Sequence, residues 1–278
     1  MTQAQAEKLG IKAHCQLSPY LESCCLRLSA NVSYQHAADD LAYLTGIKVS
    51  KSAQQRLVHR QDFNQPEVVE PVEELSVDGG NIRVRTPVGE KSRWKGYKAV
   101  SLHERMAISV EFGQSPVIIE WVNAQPLAQI VTCLGDGHDG VWNIIRELAS
   151  ASQRREVLDW FHLVGNLHKV GGSIKRLKQA EALLWEGKVT EAKNLFEPLR
   201  AKQAHNFCEY LERHRHRIIN YQYYQAEDIC SIGSGTIEST IKQIDRRTKI
   251  SGAQWKEENV PQVLAQRCAY LNRLISAQ

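Results

Sequence analysis

The spacing of apolar residues predicts helices in the first part of the chain, over residues 1–62. Two of these helices, over 34–44 and 51–60, each follow a serine that can cap them, and Gly46 separates them. A helix, a short turn with glycine and a second helix form the helix-turn-helix pattern of many DNA-binding proteins. The alternative is a plain helical hairpin that packs against the following domain.

The apolar period changes to two after residues 63–74, a segment with two prolines and several acids that predicts a domain boundary near residue 70. Strands are predicted over 74–77, 82–86, 97–102, 116–122, 129–134 and 156–160. Gly79-Gly80 is expected to turn the chain between the first two strands. Helices are predicted over 141–150, 162 to about 224, 237–247 and 260–276. The sequence thus favours a helical region over 1–70 and an α/β domain over 71–278.

The bulk composition limits the class of protein without naming it. The chain has 278 residues, of which 42% are hydrophobic, so it can bury a sizeable core. Its formal net charge of +4 is too small to diagnose nucleic-acid binding. The positive charge is concentrated in residues 169–178, 211–217 and 242–249. Such stretches suit contacts with phosphate groups, but a helix face exposed to solvent has the same composition.

The sequence also bears on membranes, compartment and thiol chemistry. No apolar run is long enough to span a bilayer and no signal peptide is visible, so we expect a cytoplasmic, nucleoid-associated protein that does not bind membranes. Seven cysteines form no C-x-x-C pair, which disfavours a zinc knuckle and a disulfide framework. Most of them are expected to be small core residues.

Three carboxylates stand out as candidate chemistry: Asp78 and Asp136, each flanked by glycine, and Glu238 far downstream. Carboxylates are the oxygen ligands that Mg²⁺ and Mn²⁺ prefer, and two such ions together support phosphodiester cleavage and transfer. We expect Asp78 and Asp136 at the ends of neighbouring strands, with Glu238 on a helix that closes the site. The alternatives are two Asp-Gly turns and an exposed helix glutamate.

Other polar residues near these positions have weaker signals. His138 and the pair Asp159-x-x-His162 are expected to support the carboxylates from the side, or to be ordinary structural residues. Asp139 lies where a helix N-cap is expected. The glycine-rich segment 233–235 is more simply a loop than a phosphate cradle.

The sequence offers two sets of candidate DNA contacts. The second helix of the helix-turn-helix pattern would present Lys51, Gln54, Gln55 and Arg56. The basic stretches add Lys175, Arg176, Lys242, Arg246, Arg247 and Lys249. Most tryptophans are expected in the core, and Trp185, within the charged helical block, is the best candidate to stack on a base.

Four segments in order, VDGG, LGDGHDGVWN, DWFHLVGNL and GTIESTIKQIDRRTKISGAQW, resemble bacterial insertion-sequence transposases of the DDE type. The likeness is to the Kra-type family and, more distantly, to Mutator-like transposases, and it covers roughly residues 15–275. It implies an α/β fold with an RNase H-like mixed sheet, flanking helices and an all-α insertion at about 165–231. It also implies that Asp78, Asp136 and Glu238 are the metal-binding triad, and Asp159-x-x-His162 matches the C/D-x-x-H motif of Mutator-like relatives.

The expected function is therefore a DNA transposase that cleaves and transfers strands with two Mg²⁺ or Mn²⁺ ions. Its partners would be the double-stranded DNA of the element ends and the target, and pairing of two ends favours a homo-oligomer. Members of this group often begin with a zinc-ribbon segment that is missing here, so a shortened, catalytically silent copy that only binds DNA is the alternative. A phosphohydrolase acting on small molecules is a third reading, which the Lys/Arg-rich insertion argues against.

Overall fold

The computed structural model of the chain describes Gln5 and residues 17–103, 107–113 and 116–275. The predicted helical character of the remaining residues before 17, and of residue 276, lies outside this part of the chain. None of the helices in the described ranges is both long and apolar enough to cross a membrane.

Three helices open the described chain: α1 (Pro19–Ser29), α2 (Tyr34–Thr45) and α3 (Lys51–Arg60). Each starts after a serine whose hydroxyl accepts a backbone N–H of the first turn, at 3.2 Å for Ser18, 3.1 Å for Ser33 and 3.2 Å for Ser50. Gly46 ends α2 with a φ of 72°, which an L side chain rarely adopts. The capped helices and the glycine break are confirmed.

A mixed sheet forms the centre of the molecule. Its strands are β1 (Val72–Val84), β2 (Arg93–Leu102), β3 (Ala107–Phe112), β4 (Leu127–Gly135) and β5 (Arg154–Leu158), in the order β3-β2-β1-β4-β5. β1, β2 and β3 pair antiparallel, whereas β4 runs parallel to β1 and β5 parallel to β4. The predicted α/β class with a mixed sheet and flanking helices is confirmed.

The predicted turn at Gly79-Gly80 is wrong, because β1 continues through both glycines. Gly79 pairs with Lys98 of β2, and Gly80 pairs with Tyr97. A Cβ on Gly80 would lie 2.5 Å from the Cζ of the Tyr97 ring, which is buried and has no room to move aside. Glycine is therefore required here by the close approach of a ring and not by a turn.

The predicted strand over 116–122 is also wrong, since this segment is helix α4 (Pro116–Asn123). Its buried residues Ile118, Trp121 and Val122 have the i, i+3, i+4 spacing of one helical face. A short apolar run fits a buried strand and a buried helix equally well, so the pattern alone cannot separate them.

Two other predicted elements have boundaries that differ from the structure by a few residues. The helix expected over 141–150 is α5 (Asp139–Ile145), which begins earlier and ends sooner. The strand expected over 156–160 is β5, which ends at Leu158, so that Trp160 already belongs to the next helix.

The helical block after β5 is confirmed. It consists of α6 (Trp160–His168), α7 (Ile174–Trp185), α8 (Val189–Asn194), α9 (Lys202–Arg213), a 3-10 turn (Arg215–Arg217) and α10 (Tyr221–Ala226). Trp185 packs within this block, with its ring centroid 4.8 Å from that of Trp160 and 6.2 Å from that of Tyr221. Trp185 is thus part of an aromatic cluster and only partly exposed, and its stacking on DNA stays a prediction.

Two long helices complete the fold: α11 (Gly235–Thr248) and α12 (Val260–Leu271), with a 3-10 turn (Glu257–Asn259) before the second. Apolar residues of both helices pack against Ile82, Tyr97 and Ala99 of the sheet. Helices α4 to α10 and the sheet share a larger core that reaches into the helical block. The first turns of α5 and α6 follow the ends of β4 and β5, and the residue before α11 contacts Asp159 just after β5.

The N-terminal helices pack directly against α11 and α12. Gln266 donates from Nε2 to the Leu26 carbonyl at 2.9 Å, and Ala269 and Ile275 lie in the same apolar cluster as the residues of α1 to α3. Such packing is what the alternative reading, a helical hairpin against the next domain, predicts.

Candidate metal and catalytic site

Three aspartates follow one row of paired residues across the sheet. Val77 of β1 pairs with Gly135 of β4, and Gly135 pairs with Leu158 of β5. The next residue on each strand is an aspartate: Asp78, Asp136 and Asp159, here called the acidic row. Neighbouring strands lie about 4.8 Å apart, so these positions are adjacent although far apart in sequence.

The location of Asp78 within its strand differs from the prediction. It lies inside β1, which continues beyond the point where β4 ends, and not at the end of a strand. Its Oδ1 accepts the Gly79 N–H at 2.6 Å. Burial raises the pKa of the Asp78 carboxyl above its ordinary value, and the negative charge of Asp136 adds to this rise, while the charges of His162 and Lys98 oppose it.

Asp136 opens the loop between β4 and α5. Its Oδ1 accepts the His138 N–H at 2.8 Å, and its backbone carbonyl accepts the Trp142 Nε1–H at 2.6 Å. A Cβ on Gly137 would lie 2.5 Å from the hydroxyl oxygen of Tyr210, so only glycine allows α9 to approach this loop. These contacts hold the loop close to the sheet, with the Asp136 carboxylate half-exposed.

His138, and not Asp139, caps helix α5. The His138 Nδ1 accepts the Gly140 N–H at 3.1 Å, while Asp139 is the first residue of the helix, with an exposed side chain 3.6 Å from Arg213. The expected cap at Asp139 is wrong, because the imidazole already accepts the free amide. His138 therefore acts on the loop that carries Asp136: its backbone N–H donates to the Asp136 Oδ1, and its imidazole caps the helix that follows.

Asp159 follows β5, and its side chain accepts hydrogen bonds from the starts of α6 and α11. Its side chain is fully buried, its Oδ1 accepts the His162 N–H at 2.7 Å, and its Oδ2 accepts the Ser234 hydroxyl at 2.7 Å together with the Ser234 N–H. Burial alone would raise the pKa of Asp159, but these donors outweigh it and hold the pKa below its ordinary value. The carboxylate is thus fully engaged within the protein.

His162 lies between Asp159 and Glu238. Its Nδ1 is 3.2 Å from the Asp159 Oδ1 and 3.9 Å from the Glu238 Oε1. These are ion-pair distances without the alignment of a hydrogen bond, since the Nδ1 has no directed partner in the described part of the chain. Contact with Asp159 raises the pKa of His162 against the effect of burial, and the charges of Asp136 and Glu238 raise it further.

Glu238 is in the first turn of α11, where its carboxylate faces His162 on one side. On the other side its Oε2 is 3.8 Å from the Lys242 Nζ. Glu238 therefore lies on a helix, as expected. Ser234, which precedes this helix, donates a hydrogen bond to Asp159.

One group within the described ranges has ligand atoms close enough to hold a metal ion: Asp159, His162 and Glu238, all within 4.8 Å of one another. This group shares only Glu238 with the expected ligand set of Asp78, Asp136 and Glu238. Its imidazole suits transition metals more than Mg²⁺, which prefers oxygen. Asp78 and Asp136 offer the oxygen ligands that Mg²⁺ prefers, and the charge of Asp136 contributes to the raised pKa of Asp78, but neither aspartate belongs to the group whose ligand atoms lie within 4.8 Å of one another.

Lys98 is a residue of this site that the sequence did not single out. A Cβ on Gly79 would lie 3.0 Å from the Lys98 Nζ, and one on Gly140 would lie 3.5 Å from it. The ammonium group is therefore between β1 and the start of α5, where its charge acts on Asp78. Only the pairing of Lys98 with Gly79 places it there, and that register is not visible in the sequence.

Two of the candidate DNA contacts are wrong because their side chains are buried. Gln54 has no exposed surface, and Arg247 is 1% exposed, donates from Nε to the Ser29 carbonyl at 2.6 Å and lies against the rings of Tyr34 and Trp255. The remaining candidates are at least partly exposed: Lys51, Gln55, Arg56, Lys175, Arg176, Lys242, Arg246 and Lys249.

The comparisons with known proteins assign the chain to no family. No protein-family model matches the chain, and no curated protein matches it.

Proposed function

We propose that the protein is a metal-dependent polynucleotidyl transferase of the DDE type that cleaves and transfers strands of double-stranded DNA. The observation that carries this proposal is the adjacency of Asp78 and Asp136 across β1 and β4, with Glu238 and His162 beside them. A buried carboxyl with a raised pKa, such as that of Asp78, is typical of functional sites.

The sheet supports the same proposal. A mixed sheet of order β3-β2-β1-β4-β5, covered by helices, is compatible with an RNase H-like fold. The helical block lies between the strand that precedes Asp159 and the helix that carries Glu238, where the resemblance to insertion-sequence transposases implies an insertion.

Each polar residue has a distinct role in this proposal. Asp78, Asp136 and Glu238 would hold Mg²⁺ or Mn²⁺, which when bound activates the attacking oxygen and stabilises the leaving one. Asp159 orients His162 and fixes the first turn of α11, so that Glu238 faces the acidic row. His162 and Lys98 supply positive charge that reduces repulsion among the carboxylates before DNA binds.

The test is nicking of a supercoiled plasmid that carries the DNA flanking the coding sequence, in Mg²⁺ or Mn²⁺, by wild-type protein and Asp136→Asn. We expect a loss of activity on the order of a thousandfold or more in the variant, since a ligand of the reacting centre is removed. Asp62→Asn is the matched control, because it changes an exposed carboxylate in the segment between α3 and β1, outside the acidic row, and should retain activity. Equal nicking by wild type and Asp136→Asn would contradict the assignment.

A second candidate is a catalytically silent protein that only binds DNA. The observation that favours it is that the metal-compatible group of the described residues contains neither Asp78 nor Asp136. This candidate predicts retention of DNA in a gel-shift assay, with a steep dependence on salt, and no metal-dependent nicking by the wild type.

A further inference from the structure

An open cleft with a volume of about 710 Å³ lies between α5, β5 and the 3-10 turn after α9, and its lining residue Asp139 is three residues after Asp136. Its walls carry Arg146, Arg154, Arg213, His216 and Arg217, against the carboxylates of Asp139 and Glu156. We propose that this cleft, here called the arginine cleft, binds phosphate groups of a DNA strand. The identity of the strand rests on the proposed function, whereas the recognition of phosphate rests on the cleft itself.

Two of the arginines are fixed before any ligand arrives. Arg217 donates from Nε to the Glu156 Oε2 at 2.7 Å, its side chain is 7% exposed, and its guanidinium carbon is 3.9 Å from the centre of the Trp142 ring. Arg154 donates from Nε to the Glu156 Oε1 at 2.9 Å and from Nη1 to the Leu148 carbonyl at 2.8 Å. One carboxylate thus holds two guanidinium groups, so the inner wall of the cleft keeps an excess of positive charge.

The outer wall has arginines that are free to reach a ligand. Arg146 is exposed and has no ion pair to any of the described residues, and Arg213 is 60% exposed with only a loose contact of 3.6 Å to Asp139. His216 is 63% exposed and adds charge when protonated. Planar guanidinium groups on two sides of a cleft match the oxygens of phosphate, which they bind in pairs of hydrogen bonds.

The inner wall of the cleft is connected to the acidic row by one side chain. The Trp142 ring supports Arg217, and the Trp142 Nε1 donates to the Asp136 carbonyl at 2.6 Å. Asp139, on the rim of the cleft, is three residues from Asp136. A strand with one phosphate at the acidic row would therefore continue toward this cleft, and the cleft is too large for a single free phosphate.

The test compares DNA binding by wild-type protein with that of the double variant Arg146→Gln, Arg213→Gln. Binding of a fluorescently labelled duplex is followed by anisotropy between 50 and 300 mM salt, in EDTA and in the Asp136→Asn background, so that the result does not depend on cleavage. We expect affinity to fall by on the order of tenfold and the slope of log K against log salt to fall by about 2, as for the loss of two phosphate contacts.

Two further variants make the result specific. Arg85→Gln, Lys91→Gln changes the charge equally at exposed residues outside the cleft and should bind DNA as wild type does. Arg146→Lys, Arg213→Lys keeps the charge and should recover most of the salt slope.

The proposal is overturned if the cleft double variant binds DNA as tightly and with the same slope as the Arg85, Lys91 control. It is also overturned if inorganic phosphate or a nucleoside triphosphate raises the melting temperature of the wild type but not of the cleft variant while DNA affinity is unchanged, because the ligand would then be a free phosphate compound. Equal nicking by Asp136→Asn would contradict the proposed function alone and leave the cleft assignment standing.

Discussion

The acidic row contains two kinds of carboxylate. Asp159, just after β5, differs from Asp78 on β1 and Asp136 just after β4 in how its charge is compensated. Asp159 is fully buried, and donors from His162 and Ser234 hold its pKa low. Asp78 accepts one backbone N–H at 2.6 Å, and burial and Asp136 hold its pKa high. Asp159 thus accepts hydrogen bonds on both of its carboxylate oxygens. Asp78 accepts one hydrogen bond and is buried near a second negative charge.

This difference separates a carboxylate whose charge is compensated by donors from one whose burial is only partly compensated. A buried carboxylate with a full set of donors stabilises the fold, and here it fixes the turn that leads into α11. Two neighbouring carboxylates that repel each other cost stability, which proteins tolerate mainly where a ligand or reaction requires it. In the proposed function, the acidic row would combine one residue that supports the site with two that hold a cation.

The largest effect on stability is expected from Asp159→Ala. It removes a buried charge and leaves the Ser234 and His162 N–H groups without their acceptor, so we expect a loss of roughly 3–5 kcal/mol in the free energy of unfolding. Urea unfolding followed by far-UV circular dichroism measures it. Asp62→Ala, an exposed aspartate, should change stability by less than about 0.5 kcal/mol. A similar small change in Asp159→Ala would refute the structural role.

The fold was predictable where local signals decide the structure. Serine caps and Gly46 set the first helices, alternating apolar residues indicated the second half of β1, and a compact apolar run indicated β4. The errors at Gly79-Gly80 and at 116–122 have a common cause. Glycine in a strand can mean a turn or a close approach, and a short apolar run can mean a strand or a helix, and only the packing of Tyr97 and Trp121 distinguishes them.

The candidate site was predictable in residue type but not in geometry. Asp78, Asp136 and Glu238 were identified from their surroundings in the sequence, and Asp159-x-x-His162 from its spacing. The donors that set Asp159 apart from Asp78 come from residues up to 75 positions away, such as Ser234. Lys98 was missed for the same reason, because a strand register between β1 and β2 brings it to the site.

Asp78→Asn is expected to stabilise the protein in EDTA at neutral pH, by about 1 kcal/mol. The raised pKa of Asp78 means that its protonated form favours the folded state, so the wild type loses this contribution as the pH rises through the folded pKa. An amide keeps the shape of the side chain and removes the repulsion. Melting temperatures at pH 5 and pH 7.5 should therefore differ between wild type and variant mainly at the higher pH.

Addition of Mg²⁺ sharpens this measurement. The ion should raise the melting temperature of the wild type and of Asp139→Asn, since a ligand that binds only the folded state stabilises it. It should have little effect on Asp78→Asn. A wild type that is already as stable as Asp78→Asn in EDTA at pH 7.5 would show that neither burial nor the charge of Asp136 disfavours the ionised Asp78 in the folded protein.

His162→Gln should lower the free energy of unfolding by less than Asp159→Ala does. Its effect should be larger at low pH than at high pH. The pKa of His162 is raised in the folded protein, so its contribution is present in full below its ordinary value of 6.5 and is lost as the pH rises through the folded pKa. The side chain is 38% exposed, and solvent screening limits the expected loss to a few tenths of a kcal/mol. Unfolding at pH 5.5 and pH 8.5 measures it, and an equal loss at both values would exclude the ion pair.

The smallest effect is expected from Lys98→Gln, and it distinguishes a counter-ion from a packing residue. If the ammonium group offsets the charge of Asp78, its removal should lower stability by a few tenths of a kcal/mol in EDTA, and Mg²⁺ should remove the deficit by supplying the missing charge. Lys91→Gln, on the exposed loop between β1 and β2, should show neither effect. A deficit that is the same with and without Mg²⁺ would mean that the aliphatic part of Lys98 packs against Gly79 and that the acidic pair depends on a divalent cation alone.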